Sequence, residues 1–119
     1  MHLKNNKLIS SLENLVELRN SYRDIGKKII MTNGCFDILH TGHIYLLNEA
    51  RKLGDLLIVA LNSDSSVKLN KGNTRPINTE IDRAYVLSAL KNVDHIILFN
   101  EETPEKIICT ILPDVLVKG

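Results

Sequence analysis

The chain has no Trp, and aromatic residues make up 4% of its 119 positions. Aliphatic side chains must therefore fill its core, and at 44% apolar residues there are enough for one domain of this length. No run of eighteen apolar residues occurs, which excludes an ordinary membrane-spanning helix. Asn5, Asn6 and Lys7 leave the amino terminus without an apolar signal core, so a cytoplasmic location is expected. Two cysteines, Cys35 and Cys109, are too few and too far apart for a disulfide framework. No excess of one charge exists either: the net charge is +1, which argues against a nucleic-acid partner held by bulk electrostatics. The first 28 residues are locally basic, and a solvated helix face accounts for that.

What is present is an alternation of helical and strand patterns. Leu8, Leu12, Leu15 and Val16 recur at helical spacing, with Ser10 or Ser11 as cap and Gly26 as stop. A short strand follows at Ile29–Thr32, then a helix through Ile44, Leu47, Ala50 and Leu53. Leu56–Leu61 is a continuous apolar run, as a central parallel strand should be. Asp64 is placed to cap a short helix, and Thr79 another that carries Ile81, Tyr85 and Leu90. His95–Phe99 is a third strand, Thr103-Pro104 opens a helix, and Val115–Val117 is a fourth strand. Such alternation predicts a parallel sheet with right-handed crossovers and a ligand beyond the carboxyl ends of its strands. The segment Asn33–His43 belongs there.

That segment reads Asn33-Gly34-Cys35-Phe36-Asp37-Ile38-Leu39-His40-Thr41-Gly42-His43. Gly34 permits a tight turn, and the helix beginning near His43 offers free N–H groups to an anion. His40 and His43 flank Gly42 and can converge on one bound group, while Gly42 leaves room for a nucleotide. This suits nucleotidyl transfer, where catalysis is mainly positioning and charge stabilisation. Duller readings exist: a metal-binding histidine pair beside Cys35, or incidental surface residues. A structural zinc site usually needs four protein ligands, and no C-x-x-C is present. Asp37 reads equally as a turn cap or as a ligand. Lys68, Lys71, Arg75 and Arg83 read singly as a solvated face, but their position after successive strands favours phosphate contacts for Lys68 and Arg83.

The segment Thr32–His43 resembles the cytidylyltransferase-like branch of the H-x-G-H nucleotidylyltransferases. The resemblance continues through Ala50-Arg51-Lys52-Leu53-Gly54-Asp55, Val59–Asp64, Ser66-Val67-Lys68, Lys71-Gly72 and Arg75-Pro76-Ile77-Asn78. It ends with Arg83, Val86-Leu87, Val93-Asp94 and Leu112–Gly119. Within the branch, the Asn-Ser-Asp, Lys-Gly and Arg-Pro-Ile-Asn stretches look most like the ADP-heptose synthases, adenylyltransferases for D-glycero-β-D-manno-heptose 1-phosphate. The resemblance implies an α/β, Rossmann-like parallel sheet with flanking helices. It implies ATP and a sugar phosphate as substrates, Mg²⁺, formation of ADP-heptose and pyrophosphate, and a place in lipopolysaccharide synthesis. By matching position it implies His40, His43 and Lys68 as catalytic. It implies Asn33, Gly34, Cys35, Phe36, Asp37, Gly42 and Arg83 as nucleotide-binding, with no protein-held metal. Residues 1–28 are then a helical extension and 29–119 the catalytic domain. Met1 and the polar helix lead us to expect no kinase half.

The family pattern extends past Gly119, so the last strand and helix are expected to be missing and the fourth strand to be an unpaired edge. Three functions stay open: the heptose-phosphate adenylyltransferase, a cytidylyltransferase for glycerol 3-phosphate or a similar alcohol phosphate, and a truncated nucleotide-binding module without turnover. A homodimer is compatible with all three.

Overall fold

The computed structural model describes residues 6–118. Along the chain run β1 (Leu8–Ile9), α1 (Leu12–Asp24), β2 (Ile29–Gly34), α2 (Thr41–Arg51) and β3 (Leu56–Asn62). Then come α3 (Asp64–Lys71), α4 (Glu80–Ser88), β4 (His95–Phe99), α5 (Glu105–Ile111) and β5 (Val115–Val117). The strands form one parallel sheet in the order β1-β4-β3-β2-β5. The expected α/β sheet with flanking helices is thus present, and β4-β3-β2-β5 follows the family order. Among the described residues the outer edge of β5 has no strand partner.

One strand was not expected. Leu8 and Ile9 pair with Ile96 and Ile97 instead of starting α1. The reason is the cap: Ser11 is extended, at φ −152° and ψ 159°, and its side chain accepts the Asn14 N–H. A helix cannot run back through its own cap, so the two apolar residues before it join the sheet. Two other caps also shift by one residue. Ser63, not Asp64, caps α3, and Pro104 stands at the cap of α5, with the helix starting at Glu105. Thr79 caps α4 as expected.

The period of two along the central strands sends side chains to two cores. On one face Ile30, Leu57, Val59, Leu61 and Ile96 meet Leu47 and Ala50 of α2 and Ala84 and Leu87 of α4. On the other, Ile29, Met31, Ile58, Ala60, Ile97 and Phe99 meet Leu15 of α1 and Ile107 and Ile111 of α5. The amino ends of the strands are fastened by aspartates that accept backbone N–H groups of a neighbouring segment. Asp55 takes Lys28 at 2.7 Å, Asp94 takes Leu57 at 2.8 Å, and Asp114 takes Ile29 at 2.7 Å. Asp94 also pairs with Arg51 at 3.1 Å, so its role is structural. No helix among the described residues is long and apolar enough to cross a membrane.

Leu15 is fully buried between α1 and the sheet. Leu15→Ala should therefore cost about 2–5 kcal/mol of stability in urea unfolding. A loss under about 0.5 kcal/mol, the range of surface substitutions, would show that α1 is not part of the folded unit.

Candidate functional site

The carboxyl end of β2 carries the site. The strand stops at Gly34, and Phe36 turns the chain through a left-handed conformation at φ 47°. The loop then runs to His40, which is extended and caps α2. His40 does what Ser or Asp does at most helix starts: its Nδ1 accepts the Gly42 N–H at 3.0 Å. His43 returns the favour, its Nδ1 accepting the His40 N–H at 3.2 Å. The two rings lie 3.9 Å apart, centroid to centroid, tilted by 33°. An Nδ1 that accepts an N–H carries no proton, so each neutral ring holds its proton on Nε2. Two Nε2–H donors three residues apart are what the turn leaves unused. The Gly42 N–H, in the first turn of α2, is occupied by His40.

His43 is half-buried, and its pKa is lowered from 6.5 by desolvation, by His40 and by the Lys71 charge. Lys71 ends α3, and its charge reaches His43. Lys68, one turn earlier, is exposed, and its ammonium has no hydrogen bond or ion pair among the described residues.

Asp37 is spent inside the protein. Its two carboxylate oxygens accept the N–H groups of Ile77 and Asn78, each at 2.8 Å, and the Asn78 side chain bonds its carbonyl. Burial works against its charge, yet the Asn78 and Ile77 N–H groups and the Arg83 and Arg75 charges hold its carboxyl below 3.8. It ties the histidine loop to the segment before α4. The turn-cap reading of Asp37 thus describes its contacts better than a ligand reading.

Arg83 is placed differently from the exposed phosphate contact that its sequence position suggested. It is 2% exposed. Its Nη1 donates to the carbonyls of Cys35 at 2.8 Å and Asn62 at 2.7 Å. Its Nε donates to Asn78 O at 3.0 Å and its Nη2 to Asp64 at 2.9 Å. A buried guanidinium must be satisfied, and here it is satisfied by the segments that build the site. Asn33, on the other side of the loop, lines a cavity of about 610 Å³ with Leu116, Lys118, Thr103 and Ile108. A separate apolar cavity of about 430 Å³, beside β1 and α4, contains none of the expected site residues.

An open parallel sheet with a glycine turn and a capped helix at its carboxyl edge defines a Rossmann-like nucleotide-binding class. The chain belongs to the cytidylyltransferase-like family, whose model matches residues 31–119. It is 52% identical over 120 residues to the bifunctional protein HldE of Aliarcobacter butzleri, covering 100% of this chain and 25% of that protein. It is 57% identical over 108 residues to HldE of Pectobacterium atrosepticum, covering 91% of this chain and 22% of that one. The chain thus spans about a quarter of the length of these curated relatives. Among solved structures, the lipopolysaccharide core biosynthesis protein of Thermoplasma volcanium matches with TM-score 0.68 and 42% identity, over 76% of this chain and 73% of that one. Pantoate-β-alanine ligase of Francisella tularensis, in complex with an ATP analogue and β-alanine, matches with TM-score 0.58 and 26% identity, over 76% and 34%.

Sequence reasoning did not single out Lys71, Arg75 or Asn78, yet Lys71 acts on His43, and Arg75 and Asn78 on Asp37. The signal available was their adjacency to Gly72, Pro76 and Ile77, which marks a shaped loop without saying what it touches.

Two outcomes follow from this geometry. Arg83→Met should lower stability by about 3 kcal/mol, because charged hydrogen bonds from a buried group are lost. An unfolding midpoint equal to that of the parent would remove Arg83 from its central place. Because the folded pKa of His43 lies below 6.5, the unfolded chain takes up its proton first. Its contribution to stability is complete above 6.5 and is lost as pH falls through the folded value. An NMR titration should place the His43 midpoint below 6.5; a midpoint at or above that value contradicts the geometry.

Proposed function

We propose that this chain transfers AMP from ATP to D-glycero-β-D-manno-heptose 1-phosphate, giving ADP-heptose and pyrophosphate. The observation that carries the reading is that the Nδ1 atoms of His40 and His43 both accept backbone N–H groups, which leaves Nε2 as the donor of each neutral ring. An oxygen of the acceptor phosphate attacks the α-phosphorus, the bond from that phosphorus to the bridging oxygen breaks, and pyrophosphate leaves with the electron pair. The second pKa of a phosphate monoester is about 6, so the acceptor is already an anion at neutral pH and needs no general base. What the step needs is stabilisation of charge growing on phosphate oxygens, and two fixed donors supply it.

The remaining parts divide by location. Lys68 and Lys71 reach over the site from α3 and meet phosphate oxygens. Asn33 and the cavity beside it receive the nucleoside. Gly34 and Cys35 bring the backbone close to the phosphates. Arg83 and Asp37 hold the loops and do not touch substrate. Among the described residues no group of three or more His, Cys, Asp or Glu side chains could hold a metal. In this reading Mg²⁺ enters on the triphosphate, whose oxygens and water are its usual ligands. The resemblance to a lipopolysaccharide core biosynthesis protein supports a sugar phosphate as acceptor. A cytoplasmic location, where ATP is made, and a homodimer complete the reading.

The rival is transfer of CMP from CTP to glycerol 3-phosphate, favoured by the description of the family. Pyrophosphate release with each substrate pair separates the two. Turnover is expected with ATP and the heptose phosphate, and His43→Ala should reduce it by about 10²–10³-fold. Turnover with CTP and glycerol 3-phosphate alone, or binding of ATP with no turnover on either acceptor, would replace the proposal.

A further inference from the structure

The histidine pair sits in a chain of contacts that runs from one glycine to the other. A Cβ on Gly34 would lie 2.8 Å from Cε2 of Phe36, so the space above Gly34 belongs to the Phe36 ring. That ring is 7% exposed, and its backbone holds φ 47°, a conformation that a bulky residue adopts at a cost. It packs edge-on against His43, with centroids 5.2 Å apart and planes at 60°. His43 accepts the His40 N–H, and His40 accepts the Gly42 N–H. A Cβ on Gly42 would lie 2.8 Å from Cε1 and 3.1 Å from Nδ1 of His40. Each glycine therefore clears volume for a ring of the protein itself.

We propose that Phe36 is a positioning residue. With Gly34 and Gly42 it locks the His40 and His43 imidazoles into one orientation, Nδ1 turned into the helix start and Nε2–H turned outward. A phenyl ring has no donor or acceptor to offer. Its effect is steric: packed against His43, it opposes the half-turn about Cβ–Cγ that would put a carbon where Nδ1 accepts the His40 N–H. Gly42 does the corresponding service for His40, since a methyl group there displaces the ring from its cap. A site held in this way spends no free energy on orienting its donors when substrate arrives. The proposal rests on the reading of the two Nε2–H groups as phosphate donors. Its primary test needs no substrate, so it can fail while that reading stands.

The experiment is a long-range ¹H–¹⁵N spectrum of the imidazoles in the ligand-free chain above pH 7, with a pH titration. Both rings should appear in the Nε2–H form, with Nδ1 unprotonated. In Phe36→Leu, His43 should become a mixture of tautomers and its titration midpoint should rise towards 6.5. Turnover should fall on the order of 10²-fold, the scale of a small misplacement, with KM for ATP changed far less than kcat. Phe36→Tyr keeps the ring and should restore the wild-type spectrum. If Phe36→Leu does not fold, Gly42→Ala gives the same readout at His40. It changes an exposed position in the first turn of a helix, where Ala is favoured over Gly. Folded variants whose histidines keep the parental tautomer and titration overturn the proposal. That holds even if turnover is lost, because Phe36 or Gly42 would then act on the ligand directly.

Discussion

The buried guanidinium of Arg83 is the constraint on which the site depends. It joins the loop after β2, the end of β3, the start of α3 and the segment before α4 through four hydrogen bonds. Of these four segments only the end of β3 is also held by the sheet ladder, where Asn62 pairs with Phe99. A charge placed here must be matched on every side or it destabilises the fold. Matching it fixes the distance between the histidine loop and the α3–α4 region. Asp37 adds a second tie between the same two regions, from the opposite direction. The site is thus a set of loops cross-braced by one cation and one anion.

The two ends of the sheet divide the work. At the amino ends, Asp55, Asp94 and Asp114 are all used on backbone N–H groups and settle where neighbouring segments enter the sheet. At the carboxyl ends the strands stop at Gly34, Asn62 and Phe99, and the polar groups there face loops and space. The separation explains why most of the acidic residues matched in the second half of the family pattern are structural. It also leaves His40, Lys68 and Lys71 exposed and His43 half-buried.

Much of this was legible in the sequence, and what was not has physical causes. The long apolar run Leu56–Leu61 reads as a buried central strand and is one, and H-x-G-H falls as expected between the end of β2 and the start of α2. Leu8 misled because its spacing from Leu12 suits a helix, and only the geometry of the Ser11 cap sets it apart in a strand. Arg83 misled because a lone arginine in a helix pattern gives no sign of its burial. Its partners are backbone carbonyls, which any sequence supplies. The tautomer of the histidines was likewise hidden, since it depends on N–H groups that point at them. Gly42 was taken to make room for a nucleotide, whereas the nearest atoms it spares belong to His40.

The proposed nucleotide site is built around two imidazoles whose Nδ1 atoms accept backbone N–H groups. The most direct test is an NMR titration of the ¹⁵N-labelled chain with α,β-methylene ATP and Mg²⁺, following both imidazoles and the phosphorus resonances. The account predicts that the Nε2–H signals of His40 and His43 and the α-phosphorus shift together, while both Nδ1 signals stay in the unprotonated range. Saturable binding that leaves the histidine rings unchanged and perturbs a different surface would contradict it.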